Sequence, residues 1–198
     1  MSKIIFFDLD GTLRETASGK TFINQPTDQK AIKGTQKALA YYREKGFLLV
    51  GITNQGGGAA GHKTFVDAER EQEITMNLFP ELLCIYYCPD FDGNHCWLKS
   101  RENPAMPIHI SWGSQFCGQF RKPGAGMIKA GILNHYGNAI PSNCWMIGDR
   151  PEDEQAAAAA GIKFIWASVL HAKFANPGMQ EIDGQHIAPD ILMQFLAL

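Results

Sequence analysis

Short unbroken apolar runs alternate along this chain with longer stretches in which apolar residues return every three or four positions, the pattern of strands interleaved with helices. Residues 3–7 contain Ile4-Ile5-Phe6-Phe7, a run that suits a strand buried on both faces. Similar runs stand at 47–52, 82–87, 144–147 and 163–166. The helical period covers 27–45, with Ile32, Leu39 and Tyr42 on its apolar face and Gly46 as its stop, then 63–79, ended by Pro80. It returns at 123–136, at 151–160 with Pro151 in the first turn, and at 189–198. This order predicts an α/β fold: a doubly wound, mostly parallel sheet with helices on both faces and a ligand site beyond the carboxyl ends of the strands.

Between Asp90 and Phe120 the periodicity dissolves into Gly, Asn, Pro and scattered aromatics. The stretch reads as a loop insertion, at about 88–120, in a single domain spanning residues 1–198. With 45% hydrophobic and 19% charged residues, the composition is globular. A net charge of −2 argues against a broadly basic surface and against strong non-specific nucleic-acid binding. No apolar run approaches the ~20 residues that span a bilayer, and the first strand leaves no room for a signal peptide, so a cytoplasmic monomer away from membranes is expected. Five cysteines, an odd number, favour thiols or metal ligands over a disulfide framework.

The candidate chemistry begins where the first strand ends, at Asp8-Leu9-Asp10-Gly11-Thr12. Strand parity puts both carboxylates on one face, and Gly11 permits a sharp turn. Two acids so close imply a bound Mg²⁺, a split between a charged and a protonated partner, or both. One carboxylate can then attack phosphorus while the other protonates the departing alkoxide. The alternative is a strand end with acidic loop caps. Thr53 follows the second strand, where its hydroxyl suits a phosphate oxygen or simply a turn. Lys122 stands at a helix entrance, as a phosphate-binding cation or a solvated lysine. Asp149 follows the strand at 144–147, as a metal carboxylate or a helix N-cap, with Glu152 and Asp153 in the next turn.

In order, Asp8-Leu9-Asp10-Gly11-Thr12, Thr53-Asn54-Gln55, Lys122-Pro123 and Gly148-Asp149-Arg150-Pro151-Glu152-Asp153 resemble the four motifs of the haloacid dehalogenase superfamily of aspartate-nucleophile phosphatases. The likeness is greatest to members without a large cap domain. Thr53-Asn54-Gln55-Gly56-Gly57 followed by Gly61-His62-Lys63, then Tyr86-Tyr87-Cys88-Pro89 and Arg121-Lys122-Pro123, are similar to the heptose bisphosphate and histidinol phosphatase group. Ser18-Gly19-Lys20-Thr21-Phe22, with Pro26 and Asp28 beyond, is similar to the polynucleotide 3′-phosphatase domain. The resemblance implies a Mg²⁺-dependent phosphomonoesterase with Asp8 as nucleophile and Asp10 as acid and base. Thr53, Asn54, Arg121 and Lys122 would bind substrate, and Asp8, Asp10 and Asp149 would hold the metal. Arg150 is a further possible contact, or simply a solvated arginine.

The expected substrate is a small phosphorylated metabolite such as a sugar phosphate; a nucleic-acid 3′ end is the alternative, and a phospho-accepting regulatory domain without turnover is a third reading. The heptose phosphatase group also implies a structural zinc, but here Asp90 stands where the family has histidine and Cys117 is displaced from the family positions. Cys88, His95, Cys96 and Cys117 can still be arranged as a Cys₃His site, or remain packing thiols, as Cys84 and Cys144 do within their strands. Trp97, Arg101, His109 and Trp112 of the insertion either meet substrate or pack the loop on itself.

Overall fold

A computed structural model describes residues 3–103, 107–110, 113–175 and 188–198, with the side chains of residues 113 and 114 outside the description. Its seven-stranded sheet is built on β1 (Lys3–Phe7), which runs parallel to β4 (Leu48–Asn54) on one side and to β8 (Asn143–Gly148) on the other. Outside these lie β5 (Cys84–Cys88) and β9 (Lys163–Trp166), both parallel to their neighbours. Side-chain parity along β1 explains the layering. Ile4 and Phe6 face a core with α3 (Gly126–Tyr136) and α4 (Pro151–Ala160), through Met127, Ile128, Ala156 and Ala157. Ile5 and Phe7 face α1 (Thr35–Glu44), α2 (Phe65–Leu78), α5 (Ala167–Ala175) and α6 (Pro189–Leu196), through Leu39, Met76, Leu170 and Phe195. Burial on both faces is why these strands are unbroken apolar runs. Among the described residues no helix is long and apolar enough to cross a membrane.

The expected helix over 27–45 is shorter than its period suggested. Its first part goes to a small hairpin in which β3 (Lys30–Ala31) pairs antiparallel with β2 (Arg14–Glu15), and Ile32 N–H donates to the Leu13 carbonyl. The Thr35 hydroxyl then bonds the carbonyls of Leu13 and Ile32, so α1 starts there. The insertion is also more ordered than its composition indicated. Strands β6 (Trp97–Ser100) and β7 (Ile108–His109) extend the sheet antiparallel beyond β5, and a 3₁₀ turn, Gly113–Phe116, follows. Helix α5 follows β9 directly with no breaker between them, which is why its pattern does not stand apart in the sequence. Helix α4 and strand β9 have the bounds expected from the sequence.

Candidate active site

Strands β1, β4 and β8 open at their carboxyl ends on a cleft of about 680 Å³ lined by Asp8, Asp10, Thr53, Lys63, Lys122 and Asp149 among others. This is the place where the strand order reverses around β1. Asp8 is fixed by its own N–H, which donates to the Ile147 carbonyl at 2.9 Å. Three residues on, Gly11 turns with φ near +91°, and a Cβ there would overlap the Asp149 carboxylate. Gly148 has the same function opposite, because a Cβ would overlap Asp153. The two glycines thus let the motifs close on one another.

The Lys122 ammonium lies between two carboxylates, 2.5 Å from Asp8 Oδ1 and 2.6 Å from Asp153 Oδ1. The other oxygen of Asp153 accepts the backbone N–H groups of Asp149 and Arg150, both at 3.1 Å, so this residue braces the start of α4. Asp8 Oδ2 is buried with no hydrogen-bond partner. Ligand atoms of Asp8, Asp149 and Asp153 lie within 4.8 Å of one another, the one such group of three or more His, Cys, Asp or Glu among the described residues. Burial, together with the charges of Asp153, Asp149 and Asp10, raises the Asp8 carboxyl to about 8 against the pull of Lys122. Asp149 is also pushed above its ordinary range, by burial and by Asp153. A divalent cation would reverse both effects. The buried, unpartnered oxygen and the crowded acids therefore fit Mg²⁺.

Asp10 is held differently. Arg14 grips it from inside, Nε to Oδ1 at 2.9 Å and Nη2 to Oδ2 at 3.4 Å, while the Asp10 side chain keeps 41% exposure to the cleft. Burial acts to raise its pKa, but the Arg14 charge and hydrogen bonds outweigh it and hold the carboxyl below its ordinary value. Arg14 is itself fully buried, donating to Glu71 Oε1 at 2.5 Å, to Gln29 Oε1 at 3.2 Å and to the Thr75 hydroxyl. Glu71 Oε2 takes Lys63 at 2.5 Å, and Lys63 also donates to Gln55 Oε1 at 2.9 Å. Gln55 Nε2 then donates to Thr53 Oγ1 at 3.2 Å. The Asp10 carboxylate therefore belongs to an internal ion pair, and the side-chain cluster suited to a metal is made by Asp8, Asp149 and Asp153 without it.

The structure brings Asp8, Asp10, Thr53, Asn54, Arg121, Lys122 and Asp149 to one cleft. Asn54, expected to contact substrate, lines the cleft with its side chain bonded to the Lys122 backbone in both directions, Nδ2 to the carbonyl at 3.0 Å and Oδ1 from the N–H at 2.9 Å. Its amide therefore anchors the loop that carries Lys122. Arg121 lies over the Phe91 ring and donates to the Asp90 carbonyl at 3.3 Å. Arg150 is half-exposed at the rim, near Asp149 and Glu152.

The expected zinc set does not assemble. Cys88 and Cys96 are buried, Cys88 donating to Asp90 Oδ1 at 3.3 Å, whereas exposed Cys117 donates to Asn94 Oδ1 at 3.0 Å and His95 Nδ1 meets His109 Nε2 at 3.2 Å. Burial, the hydrogen bond to Asp90 and its negative charge raise the Cys88 thiol to about 12. Each thiol has found a local partner or a place in the core, so the four residues do not converge on a tetrahedral centre. Of the insertion's other candidates, Arg101 donates to the carbonyls of Leu82 and Phe79, and Trp97 packs at a tilt against His109, neither among the residues lining the cleft. Trp112 lies outside the described residues.

The sequence model of the polynucleotide kinase 3 phosphatase family matches residues 3–179. This chain belongs to that family. It is a phosphatase of the haloacid dehalogenase superfamily, as its four motifs suggested, and similar proteins of that kind are known. A D-glycero-beta-D-manno-heptose-1,7-bisphosphate 7-phosphatase of Haemophilus ducreyi is 33% identical over 168 residues, covering 81% of this chain and 80% of the relative. A D-glycero-D-manno-heptose-1,7-bisphosphate 7-phosphatase of Chlorobaculum tepidum is 28% identical over 197 residues, 96% of this chain and 90% of its own. In fold, the chain is similar to the crystal structure of D,D-heptose 1,7-bisphosphate phosphatase from B. bronchiseptica in complex with magnesium and phosphate. The TM-score is 0.62 at 22% identity, over 98% of both chains.

The sequence reasoning gave no place in the site to Arg14 and Glu71, and it named Lys63 and Asp153 within motifs without assigning them the contacts the structure gives. Asp153 had a signal in its spacing, four residues after Asp149 on the first turn of α4. The buried face of α2, Ala68, Glu71, Gln72, Thr75 and Met76, also follows the helical period, but its polar members look like a solvated face.

Proposed function

We propose that this chain is a Mg²⁺-dependent phosphomonoesterase acting on a small sugar phosphate through an aspartyl-phosphate on Asp8. The unpartnered, buried Asp8 Oδ2 beside Asp149 carries this reading, because it is a nucleophile-bearing carboxylate with room for a cation and none of its own hydrogen bonds to spend there. Asp8 and Asp149 would hold Mg²⁺, which supplies positive charge to the phosphoryl oxygens. Lys122 and the Thr53 hydroxyl hold those oxygens from the protein side. Asp8 attacks phosphorus as the ester P–O bond breaks, and Asp10 gives its proton to the departing oxygen. Asp10 then takes a proton from the water that cleaves the aspartyl-phosphate, releasing phosphate and restoring Asp8. Because Arg14 holds the Asp10 carboxyl below its ordinary value, the proton it passes on is supplied by the incoming phosphate monoester in its monoanionic form.

A sugar substrate is supported by the heptose phosphatases among the relatives, by a cleft volume that suits a small molecule, and by the absence of net positive charge. The family model's name keeps a polynucleotide 3′ end as the second reading. Phosphate release should be measured from heptose 1,7-bisphosphate, other sugar phosphates, histidinol phosphate, nucleotides and a 3′-phosphorylated oligonucleotide, with Mg²⁺ and with a chelator. Turnover is expected on sugar phosphates and only with Mg²⁺. Preference for the oligonucleotide would overturn the substrate assignment, and a stable phosphorylated Asp8 without turnover would make the chain a regulatory domain.

A further inference from the structure

Glu71 is fully buried, lines no part of the cleft, and accepts from two cations at once, Arg14 at 2.5 Å and Lys63 at 2.5 Å. Each of those cations touches a different working group. Arg14 grips both oxygens of Asp10, and Lys63 fixes Gln55. The Lys63 ammonium can only donate, so the Gln55 atom facing it is the oxygen and the amide NH₂ faces Thr53. Thr53 Oγ1 therefore receives a hydrogen bond from behind, and its own hydrogen is left to point into the cleft.

We propose that Arg14, Glu71 and Lys63 form a buried positioning relay that orients two cleft groups together, the Asp10 carboxylate through Arg14 and the Thr53 hydroxyl through Lys63 and Gln55. Geometry favours this over a purely structural ion pair. The Arg14 fork occupies one lone-pair direction on each Asp10 oxygen and leaves the cleft-facing directions for the proton that goes to the leaving oxygen. Two carboxylates and two cations balance within the relay, and Thr75 and Gln29 take the remaining Arg14 donor, so rotation of any member would strand a buried charge. The relay rests on the reading of Asp10 as acid and base.

Arg14→Lys keeps the charge and loses the fork. It should lower kcat for an alkyl phosphate by about tenfold or more, but for p-nitrophenyl phosphate, whose leaving group needs little protonation, by less than about threefold, with KM for both near wild type. Glu71→Gln should lower kcat on both esters, because Thr53 is released as well. Glu69→Gln, which cuts the Lys99 pair on the same helix, should leave kcat unchanged and serves as the control for a general loosening of α2. If Glu71→Gln does not fold, Lys63→Arg takes its place with the same expectation. Equal losses on the two esters in Arg14→Lys, or wild-type kcat in Glu71→Gln, would overturn the relay. Asp10→Asn assayed in parallel separates the two levels. If it discriminates between the esters and Arg14→Lys does not, the relay alone falls; if it retains alkyl-ester turnover, the acid assignment falls and the relay with it.

Discussion

Two groups of buried charge meet at this cleft, and they are balanced in opposite ways. Around Lys122, the carboxylates of Asp8, Asp149 and Asp153 crowd about a single ammonium, and one Asp8 oxygen is left with no partner. Around Glu71, two carboxylates face two cations and Arg14 is bonded in every direction. The first group is electrically incomplete, three carboxylates against one ammonium, which suits the cation proposed for it. The second is complete, as a scaffold must be. Strain is thus placed where chemistry occurs and neutrality where geometry must not change.

The contrast can be broken most severely at Asp8. Asp8→Asn keeps the shape of the side chain but removes the nucleophile, and turnover should fall by more than about 10⁴-fold, beyond what losing an acid or base costs. A variant retaining a hundredth of wild-type kcat in a phosphate-release assay would refute that role. Next in size is Glu71→Gln, which strands charge in the complete group and should cost about 3–5 kcal/mol of folding stability in urea titrations. A loss below 1 kcal/mol would show that the group relaxes around the change.

The incomplete group should also respond to pH. Asp8 is raised to about 8 without metal, so below that value a proton must leave as the cation enters. The apparent Mg²⁺ affinity should weaken by up to about tenfold per unit as pH falls below 8, and level off above it. Activity titrations with Mg²⁺ at several pH values would test this, and a flat profile between 6 and 8 would count against it. The smallest effect sharpens the comparison by its sign. In metal-free protein, Asp149→Asn relieves repulsion among crowded acids and should add about 0.5–2 kcal/mol of stability, while raising the Mg²⁺ concentration needed for activity. Destabilisation would mean that Asp149 serves mainly to cap α4.

The incomplete group was largely legible in the sequence and the complete one was not, for a physical reason. Asp8, Lys122 and Asp149 each follow an apolar strand or precede a helix, positions where the fold itself exposes a side chain to the cleft. Arg14 and Glu71 have no such marker. Glu71 lies within Glu69-Arg70-Glu71-Gln72-Glu73, which reads as solvated helix surface, and the Arg14, Gln29 and Lys63 side chains, remote in sequence or on the preceding loop, help turn that face into interior. The strands of the parallel sheet were legible because burial on both faces enforces unbroken apolar runs. The edge strands β6 and β7 are too short and too mixed to announce themselves. The cysteines left two readings open, a zinc set suggested by the family resemblance and packing thiols, because burial is not written in their irregular spacing; Cys84, Cys88, Cys96 and Cys144 lie in the core.

The insertion meets the cleft through Phe91 and Arg121, just outside the point where its two ends rejoin and Phe120 N–H donates to the Gly93 carbonyl at 3.0 Å. For protein engineering this divides the insertion by position: Cys96, Leu98, Ile110 and Phe116 lie in the same core as Phe6 and Met127, so libraries there should yield variants sorted by stability and expression. Libraries at Phe91 and Arg121, on the cleft, should yield variants sorted by substrate.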